Sequence, residues 1–153
     1  IAVLASNITW NAYNNFGGRS NYIHADIHFP SVKAWLYLND IDETNGAFIF
    51  APGSHRLTLG RLAYEYEASV RVARARSAGA VHSTVPYGLA RMPRPDQLRQ
   101  MGIVEKSMVG KANTLVIANT MGFHRRGTFQ PNLTRNMLML RFGDRSVPKA
   151  PKA

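Results

Sequence analysis

Residues 32–51 of the chain are VKAWLYLNDIDETNGAFIFA. Two runs in this stretch, Lys33–Leu38 and Ala47–Ala51, are rich in aromatic and aliphatic residues of the kind that favour β-strands. The intervening residues 39–46 are mostly Asn, Asp, Thr and Gly, which tolerate left-handed backbone or hydrogen-bond to their own backbone. The stretch therefore predicts a strand, a loop and a second strand.

Comparable runs recur along the chain between turn-forming residues. Besides the two above, they are Ser6–Trp10, Asn21–Phe29, Ile103–Val109, Thr114–Asn119 and Asn136–Phe142. Short strands separated by turn signals are typical of an antiparallel sandwich or barrel. We therefore expect a mainly β domain.

The segment Gly60–Ser77 has a different period. Apolar residues such as Leu62 and Tyr66 recur at intervals of three and four, and arginines including Arg61 fall elsewhere, which predicts an amphipathic helix with a basic face. A second, short helix is predicted to start near Asp96. We expect one domain over residues 1–145, a basic helical insertion between its strands at 57–102, and a flexible tail at 146–153.

Composition excludes several classes of protein. The 153 residues, 45% of them hydrophobic, suffice for one domain with a core. The absence of cysteine excludes a disulfide scaffold, a thiolate zinc site and a cysteine nucleophile, so any metal must be held by histidine and carboxylate. No Gly-x-Ser-x-Gly elbow or glycine-rich phosphate loop is present. No membrane segment or export signal is visible, which predicts a cytoplasmic protein.

The chain is strongly basic, with a net charge of +10. Such a charge favours nucleic acid, anionic lipid or anionic small molecules as partners, and the excess lies after residue 55. The arginines of 57–102 weakly favour an acidic, phosphorylated or CoA-linked substrate. Nucleic-acid binding through the basic helix is disfavoured, because its aromatic residues are limited to Tyr64 and Tyr66.

One pair of residues has the spacing of metal ligands. Of the five histidines, only His24 is followed two residues later by a carboxylate, Asp26, in strand-like surroundings. Residues i and i+2 of a strand point to the same face, so both side chains can bind one ion. A histidine from another strand would complete a facial triad that leaves positions open on Fe(II). A His-x-Asp motif alone is weak evidence, and a surface histidine beside an aspartate is the competing interpretation.

The order of several blocks is more specific than this motif. His24-Ala-Asp26 is followed by a strand with Trp35, an Asn-Gly turn and a Pro-Gly-Ser-His loop at 52–55. Farther on, the run TLVIANTMGFH ends at His124, and Arg135 follows eleven residues later. This order, over residues 20–56 and 103–143, resembles the phytanoyl-CoA dioxygenase family of Fe(II)- and 2-oxoglutarate-dependent oxygenases.

The resemblance implies a double-stranded β-helix, that is, a jelly-roll or cupin-like fold. It implies Fe(II) ligands at His24, Asp26 and His124, with no catalytic residue beyond them. It also implies that Arg135 binds the distal carboxylate of 2-oxoglutarate, for which a bidentate guanidinium is the best cation, and that Trp35 packs against this co-substrate. The implied reaction is the hydroxylation of a small organic substrate by O₂, with release of succinate and CO₂.

The sequence departs from the family at two points. Arg125 and Arg126 follow His124 where small or hydroxylated residues are usual, which either suits an anionic substrate or weakens Fe(II) binding. Family members are commonly longer, so a fragment and a minimal core both stay open. A catalytically inactive jelly-roll binding protein of the same family is therefore the alternative. His28 and His55 are interpreted as non-ligands, and Thr120 as an ordinary strand-end residue.

Overall fold

The computed structural model describes residues 10–11, 21–26, 31–79 and 92–142. Within these residues the chain forms seven strands and two helices. The strands are β1 (Trp10–Asn11), β2 (Val32–Tyr37), β3 (Phe48–Phe50), β4 (Lys106–Met108), β5 (Leu115–Asn119), β6 (His124–Arg126) and β7 (Arg135–Phe142). The helices are α1 (Leu59–Ser77) and α2 (Pro95–Gln100).

The strands form two antiparallel sheets. One sheet has the order β1-β7-β2-β5 and the other β4-β3-β6. In the first sheet Trp35 lies between Val116 and Met139, its partners on β5 and β7. In the second sheet β3 is central, with Phe50 opposite both Lys106 and His124. The expectation of a mainly β chain is confirmed.

Aromatic side chains join the two sheets into one core. The rings of Trp35 and Phe48 stack with centroids 4.1 Å apart, so β2 packs against β3. The buried hydroxyl of Tyr37 donates a hydrogen bond of 2.6 Å to the carbonyl of Met108, which ties β2 to β4. Alternate residues of β2 thus face the opposite sheet, as a half-buried strand requires.

The predicted loop between β2 and β3 is confirmed, and its side chains explain it. The Asp42 carboxylate accepts hydrogen bonds from the amide of Thr44 at 2.7 Å and from that of Asn45 at 3.2 Å. Gly46 has a φ of +82°, and a Cβ there would lie 2.8 Å from the Phe129 ring. Only glycine fits this position without strain.

Two strand predictions differ from the structure. Residues 21–26 of the predicted strand Asn21–Phe29 form only an isolated bridge between His24 and His124. Strand β6 was not predicted, because His124–Arg126 has no β-branched or alternating pattern of its own. It is a strand because β3 offers it a hydrogen-bonding edge. Residues 6–9 and 27–29 of the predicted runs lie outside the described residues.

Helix α1 is confirmed, but its predicted buried face is wrong. Leu62 and Tyr66 are 48% and 73% exposed, whereas Arg61 is 3% exposed and Tyr64 is buried. The Arg61 guanidinium donates hydrogen bonds to the carbonyls of Ser54 and Met121. It also lies 4.0 Å above the Phe123 ring. These partners satisfy a buried cation, which apolar periodicity does not reveal.

The second predicted helix is also present as α2. The Gln97 side chain accepts a 3.0 Å hydrogen bond from the amide of Arg94, which caps the start of this short helix. Neither of the two helices described here is long and apolar enough to cross a bilayer. Residues 80–91 and the tail 146–153 lie outside the described residues, so the predicted domain limits and insertion stay predictions.

Candidate metal centre

Two histidines from distant parts of the chain lie directly opposite each other. The amide of His24 donates to the carbonyl of His124 at 2.9 Å, and the amide of His124 donates to the carbonyl of His24 at 2.8 Å. Residues that exchange both backbone hydrogen bonds present their side chains on the same face. The centroids of the two imidazoles are accordingly 4.5 Å apart.

Both imidazoles are oriented by the same local contact. Nδ1 of His24 lies 2.7 Å from the carbonyl oxygen of Tyr22, and Nδ1 of His124 lies 2.9 Å from that of Gly122. A carbonyl oxygen only accepts hydrogen bonds, so each Nδ1 carries a proton and Nε2 is the ring nitrogen left for a metal. Metal-binding histidines commonly have this second hydrogen bond.

Asp26 completes a cluster of three candidate ligands. Its Oδ1 lies 3.8 Å from Nε2 of His24 and 3.6 Å from Nε2 of His124. One ligand atom of each residue lies within 4.8 Å of the other two. Ligands bound to one ion at about 2.1 Å lie about 3 Å from each other, so a small closure of the cluster suffices. Two imidazoles and one carboxylate are the donor set of non-haem Fe(II) sites.

The backbone and side chain of Asp26 are both held in place. Its amide donates to the carbonyl of Thr120 at 3.1 Å, and Nζ of Lys33 lies 2.5 Å from its Oδ2. Burial alone would raise the pKa of Asp26, but its contact with Lys33 and the hydroxyl of Thr120 lower that pKa below the usual value. The carboxylate is therefore charged at neutral pH, with Oδ1 facing the histidines.

Sequence reasoning missed Lys33 and set Thr120 aside. Lys33 had a detectable signal, because it lies two residues before Trp35 and therefore on the same face of β2. No comparable signal in the sequence indicated a contact between Thr120 and Asp26, since this contact depends on how distant segments pair.

His124 is neutral under physiological conditions. Burial lowers the pKa of His124 to about 4, and the proximity of Asp26 only partly offsets that effect. Its Nε2 is therefore available to a cation without loss of a proton. The cluster thus places the charged carboxylate of Asp26 beside the neutral imidazole of His124.

Two of the candidate ligands, His24 and His124, line a cavity between the two sheets. The cavity has a volume of about 290 Å³, which suits a small molecule. Both residues predicted to bind the co-substrate line it. The lining residues are His24, Lys33, Trp35, Phe48, His124, Arg125, Arg126, Arg135, Met137 and Met139.

Arg135 is a buried cation without an acidic partner among the described residues. It begins β7, is 6% exposed, and donates a 2.6 Å hydrogen bond from Nη1 to the carbonyl of Gly46. Its Nε has no partner in the part of the chain that the structure describes. Burial lowers the pKa of Arg135 to about 10, and the positive charge of Arg126 contributes, but the group stays protonated at neutral pH. A buried charge of this kind calls for an anion.

Comparison with known proteins identifies the family. The family model described as phytanoyl-CoA dioxygenase (PhyH) matches residues 2–88, more than half of the chain. The chain belongs to the phytanoyl-CoA dioxygenase family. No curated protein and no solved structure matched it. Membership implies an oxygenase, from a family that depends in general on Fe(II) and 2-oxoglutarate.

The phytanoyl-CoA dioxygenase match covers only part of the candidate site. It includes His24, Asp26 and Trp35 but ends before His124 and Arg135. The fold brings His124 and Arg135 to the cavity that His24 and Trp35 line, and it places His124 beside Asp26. Their individual roles stay predictions that rest on this geometry.

The two arginines that depart from the family pattern have different surroundings. Arg125 forms a two-pronged ion pair with Glu105, with Nε–Oε1 and Nη2–Oε2 distances of 2.9 and 2.8 Å. Arg126 lies half-buried at the cavity, where burial lowers its pKa. The first is neutralised by its own partner, whereas the second is not paired with any described residue.

The Pro-Gly-Ser-His loop supports a ligand strand in this member of the family. The buried hydroxyl of Ser54 donates to the carbonyl of Ala51 at 2.6 Å and accepts from the amide of Phe123 at 2.8 Å. A Cβ on Gly122 would lie 2.9 Å from the ring of Phe50 and 3.0 Å from this hydroxyl. The loop thus fixes the backbone just before His124. Among the described residues His55 is not in the ligand cluster, and His28 and His82 lie outside them.

Proposed function

We propose that the protein is an Fe(II)- and 2-oxoglutarate-dependent dioxygenase that hydroxylates a small organic substrate and releases succinate and CO₂. One observation carries the proposal. The cluster of His24, Asp26 and His124 opens onto the same cavity as Arg135, a buried guanidinium without a described acidic partner. A metal site and an anion site in one cavity suit a co-substrate that has a chelating end and a distal carboxylate.

The donor set of this chain fits the ion. His24, Asp26 and His124 would hold Fe(II) through two Nε2 atoms and Oδ1, on one side of the cavity. When bound, the ion and 2-oxoglutarate supply the activation of O₂. The hydrogen bonds from each Nδ1 keep both imidazoles oriented, and Lys33 keeps Oδ2 of Asp26 away from the open side.

The remaining cavity residues bind and orient the co-substrate. Arg135 offers its guanidinium to the distal carboxylate, while its bond to the carbonyl of Gly46 prevents rotation of the side chain. Trp35, stacked on Phe48, forms an apolar wall. Met137 and Met139 extend this wall along the cavity.

We propose further that the two sheets form the core of a double-stranded β-helix. The segment with His24 adds to the free edge of β6 by its bridge to His124, which extends the β4-β3-β6 sheet. The facing sheet supplies Trp35 and Arg135. A site between two antiparallel sheets is the arrangement that such jelly rolls use.

A catalytically inactive binding protein is the second candidate. The ammonium of Lys33 neutralises the carboxylate of Asp26, and Arg126 adds positive charge near the candidate ligands. Both features oppose the binding of a divalent cation. Binding of nucleic acid has less support, because Tyr64 is buried against Phe123 and cannot stack on a base.

Anaerobic spectroscopy separates the two candidates. An intact site develops the visible charge-transfer band of an Fe(II)–2-oxoglutarate chelate, and admission of air yields succinate. The His124→Ala variant is expected to lose both signals, whereas His55→Ala, outside the cluster, keeps both. A wild-type protein that binds Fe(II) without the band, or a His124→Ala variant with normal turnover, contradicts the proposal.

A further inference from the structure

Arg126 is a cation that the proposed reaction does not use. It faces the cavity from β6, two residues after His124, so both side chains lie on the same face of the strand. Its side chain is half-buried, and no described residue forms an ion pair with its guanidinium. A half-buried guanidinium loses hydration, and no group of the described residues compensates for the loss.

The charges around the cavity do not balance when the site is loaded. Among the described residues, Lys33, Arg126 and Arg135 of the lining bring three positive charges, and Asp26, which is paired with Lys33, brings one negative charge. The remaining lining arginine is neutralised by its own glutamate. A divalent ion and a dianionic co-substrate cancel each other, so an excess of two positive charges persists. An anionic group on the substrate would reduce this excess.

The position of Arg126 suits a ligand that reaches past the metal. Its partner in the sheet is Phe48, whereas Arg135 is bonded to Gly46, two residues earlier in the chain. The two guanidiniums therefore lie at the same end of the cavity. Along the strand Arg126 lies about 7 Å from His124, the length of a short organic acid.

We propose that Arg126 binds a carboxylate or phosphate group of the substrate while Arg135 binds the co-substrate. This inference rests on the proposed function and assigns an anionic substrate to the same site. A carboxylate and a phosphate present the same geometry to a guanidinium, which binds either with two parallel hydrogen bonds.

The test uses inorganic phosphate as the probe. Phosphate is titrated into protein loaded with Mn(II) and saturating 2-oxoglutarate, and the paramagnetic broadening of its ³¹P signal reports binding near the ion. Acetate is then added as a competitor, so the relative affinities distinguish a phosphate site from a carboxylate site. We expect Arg126→Met to weaken phosphate binding roughly tenfold or more, and Arg126→Lys to weaken it less.

Two variants serve as controls. Arg99→Met removes an exposed guanidinium outside the cavity and is expected to bind both ligands like the wild type. Arg135→Met is expected to lose affinity for 2-oxoglutarate and to keep the phosphate site. The proposal is overturned if Arg126→Met binds phosphate like the wild type. It is also overturned if Arg126→Met weakens the binding of 2-oxoglutarate as much as Arg135→Met does, since Arg126 would then belong to the co-substrate site.

Failure of the proposed function would be seen separately. If 2-oxoglutarate does not bind, the phosphate titration on the Mn(II)-loaded protein alone still measures the contribution of Arg126. Methionine replaces the half-buried charge by an apolar chain of similar length, so Arg126→Met is expected to fold. Thermal melting of each variant checks this, and Arg126→Lys keeps the charge if the methionine variant unfolds.

Discussion

Nζ of Lys33 lies 2.5 Å from Oδ2 of Asp26, while Oδ1 of the same carboxylate faces the two histidines. Oδ2 of Asp26 thus forms an ion pair within the protein, and Oδ1 lies at the candidate cation site. Lys33 belongs to β2, in the sheet opposite His124. The ion pair therefore links the metal cluster to the facing sheet.

Replacing Lys33 by methionine is expected to make metal binding more sensitive to acid. Burial of Asp26 persists in Lys33→Met but the ammonium is lost, so the pKa of the carboxyl rises. In the wild type this pKa lies below 3.8, so the carboxylate stays charged until the pH falls through that lower value. In Lys33→Met the carboxyl of Asp26 takes up its proton at a higher pH. The loss of Co(II) binding on acidification therefore moves to higher pH, as measured by optical titration.

A lysine outside the cavity provides the comparison for that experiment. Lys106→Met removes an exposed ammonium from β4 and is expected to leave the pH profile of Co(II) binding unchanged. Identical profiles for Lys33→Met and the wild type would show that the ion pair does not tune Asp26.

The metal-free protein is expected to lose stability between neutral pH and pH 5 because of His124. Its pKa is lowered from 6.5 to about 4 in the folded state, so the unfolded chain binds the proton first as the pH falls. Stability therefore rises with pH across this window, by at most about 2 kcal/mol between pH 5 and 7. Urea unfolding at both values measures the change, and His124→Gln should show a smaller slope.

Arg135→Met is expected to lower the affinity for 2-oxoglutarate roughly tenfold or more without loss of the metal. The substitution removes a charge-assisted pair of hydrogen bonds to the distal carboxylate. Anaerobic titration of the Fe(II) protein gives both affinities. The control ligand is a 2-oxo acid of the same length as 2-oxoglutarate that has no distal carboxylate. It should bind the wild type and Arg135→Met equally, and a loss shared by both ligands would contradict the assigned role.

Ser54→Ala is expected to destabilise the protein by about 1–3 kcal/mol, because the amide of Phe123 loses its buried acceptor. Urea denaturation measures this value, with Ser69→Ala on the exposed side of α1 as the control. Ser54→Ala should also bind Co(II) more weakly than the wild type, since His124 follows Phe123 directly. Unchanged stability would mean that the loop does not hold this strand.

Parts of the fold follow from contacts between near neighbours in the chain, and these were predictable. The loop before β3 is stabilised by Asp42, which bonds to residues two and three positions away. Helix α1 begins at a cap of the same kind, where the hydroxyl of Thr58 accepts from the amide of Arg61 at 3.2 Å. Short-range hydrogen bonds of this type leave a mark in composition and spacing.

Other parts depend on partners far along the chain, and these were not predictable. Strand β6 exists because β3 pairs with it, and its own three residues carry no strand signal. Arg61 pairs with Glu65 one turn along its own helix, but it is buried because the carbonyls of Ser54 and Met121 and the ring of Phe123 also receive its charge. A periodicity argument places such an arginine in solvent, since it has no information on distant acceptors.

The candidate site combines both kinds of information. The pair His24 and Asp26 is local, because alternate residues of an extended chain share a face, and the absence of cysteine leaves histidine and carboxylate as the ligand types. The meeting of that pair with His124 and Lys33 depends on backbone pairing across an antiparallel bridge and on the packing of two sheets. Pairing and packing are set by the hydrogen-bonding needs and the apolar surface of the whole chain, so they emerge only in the folded molecule.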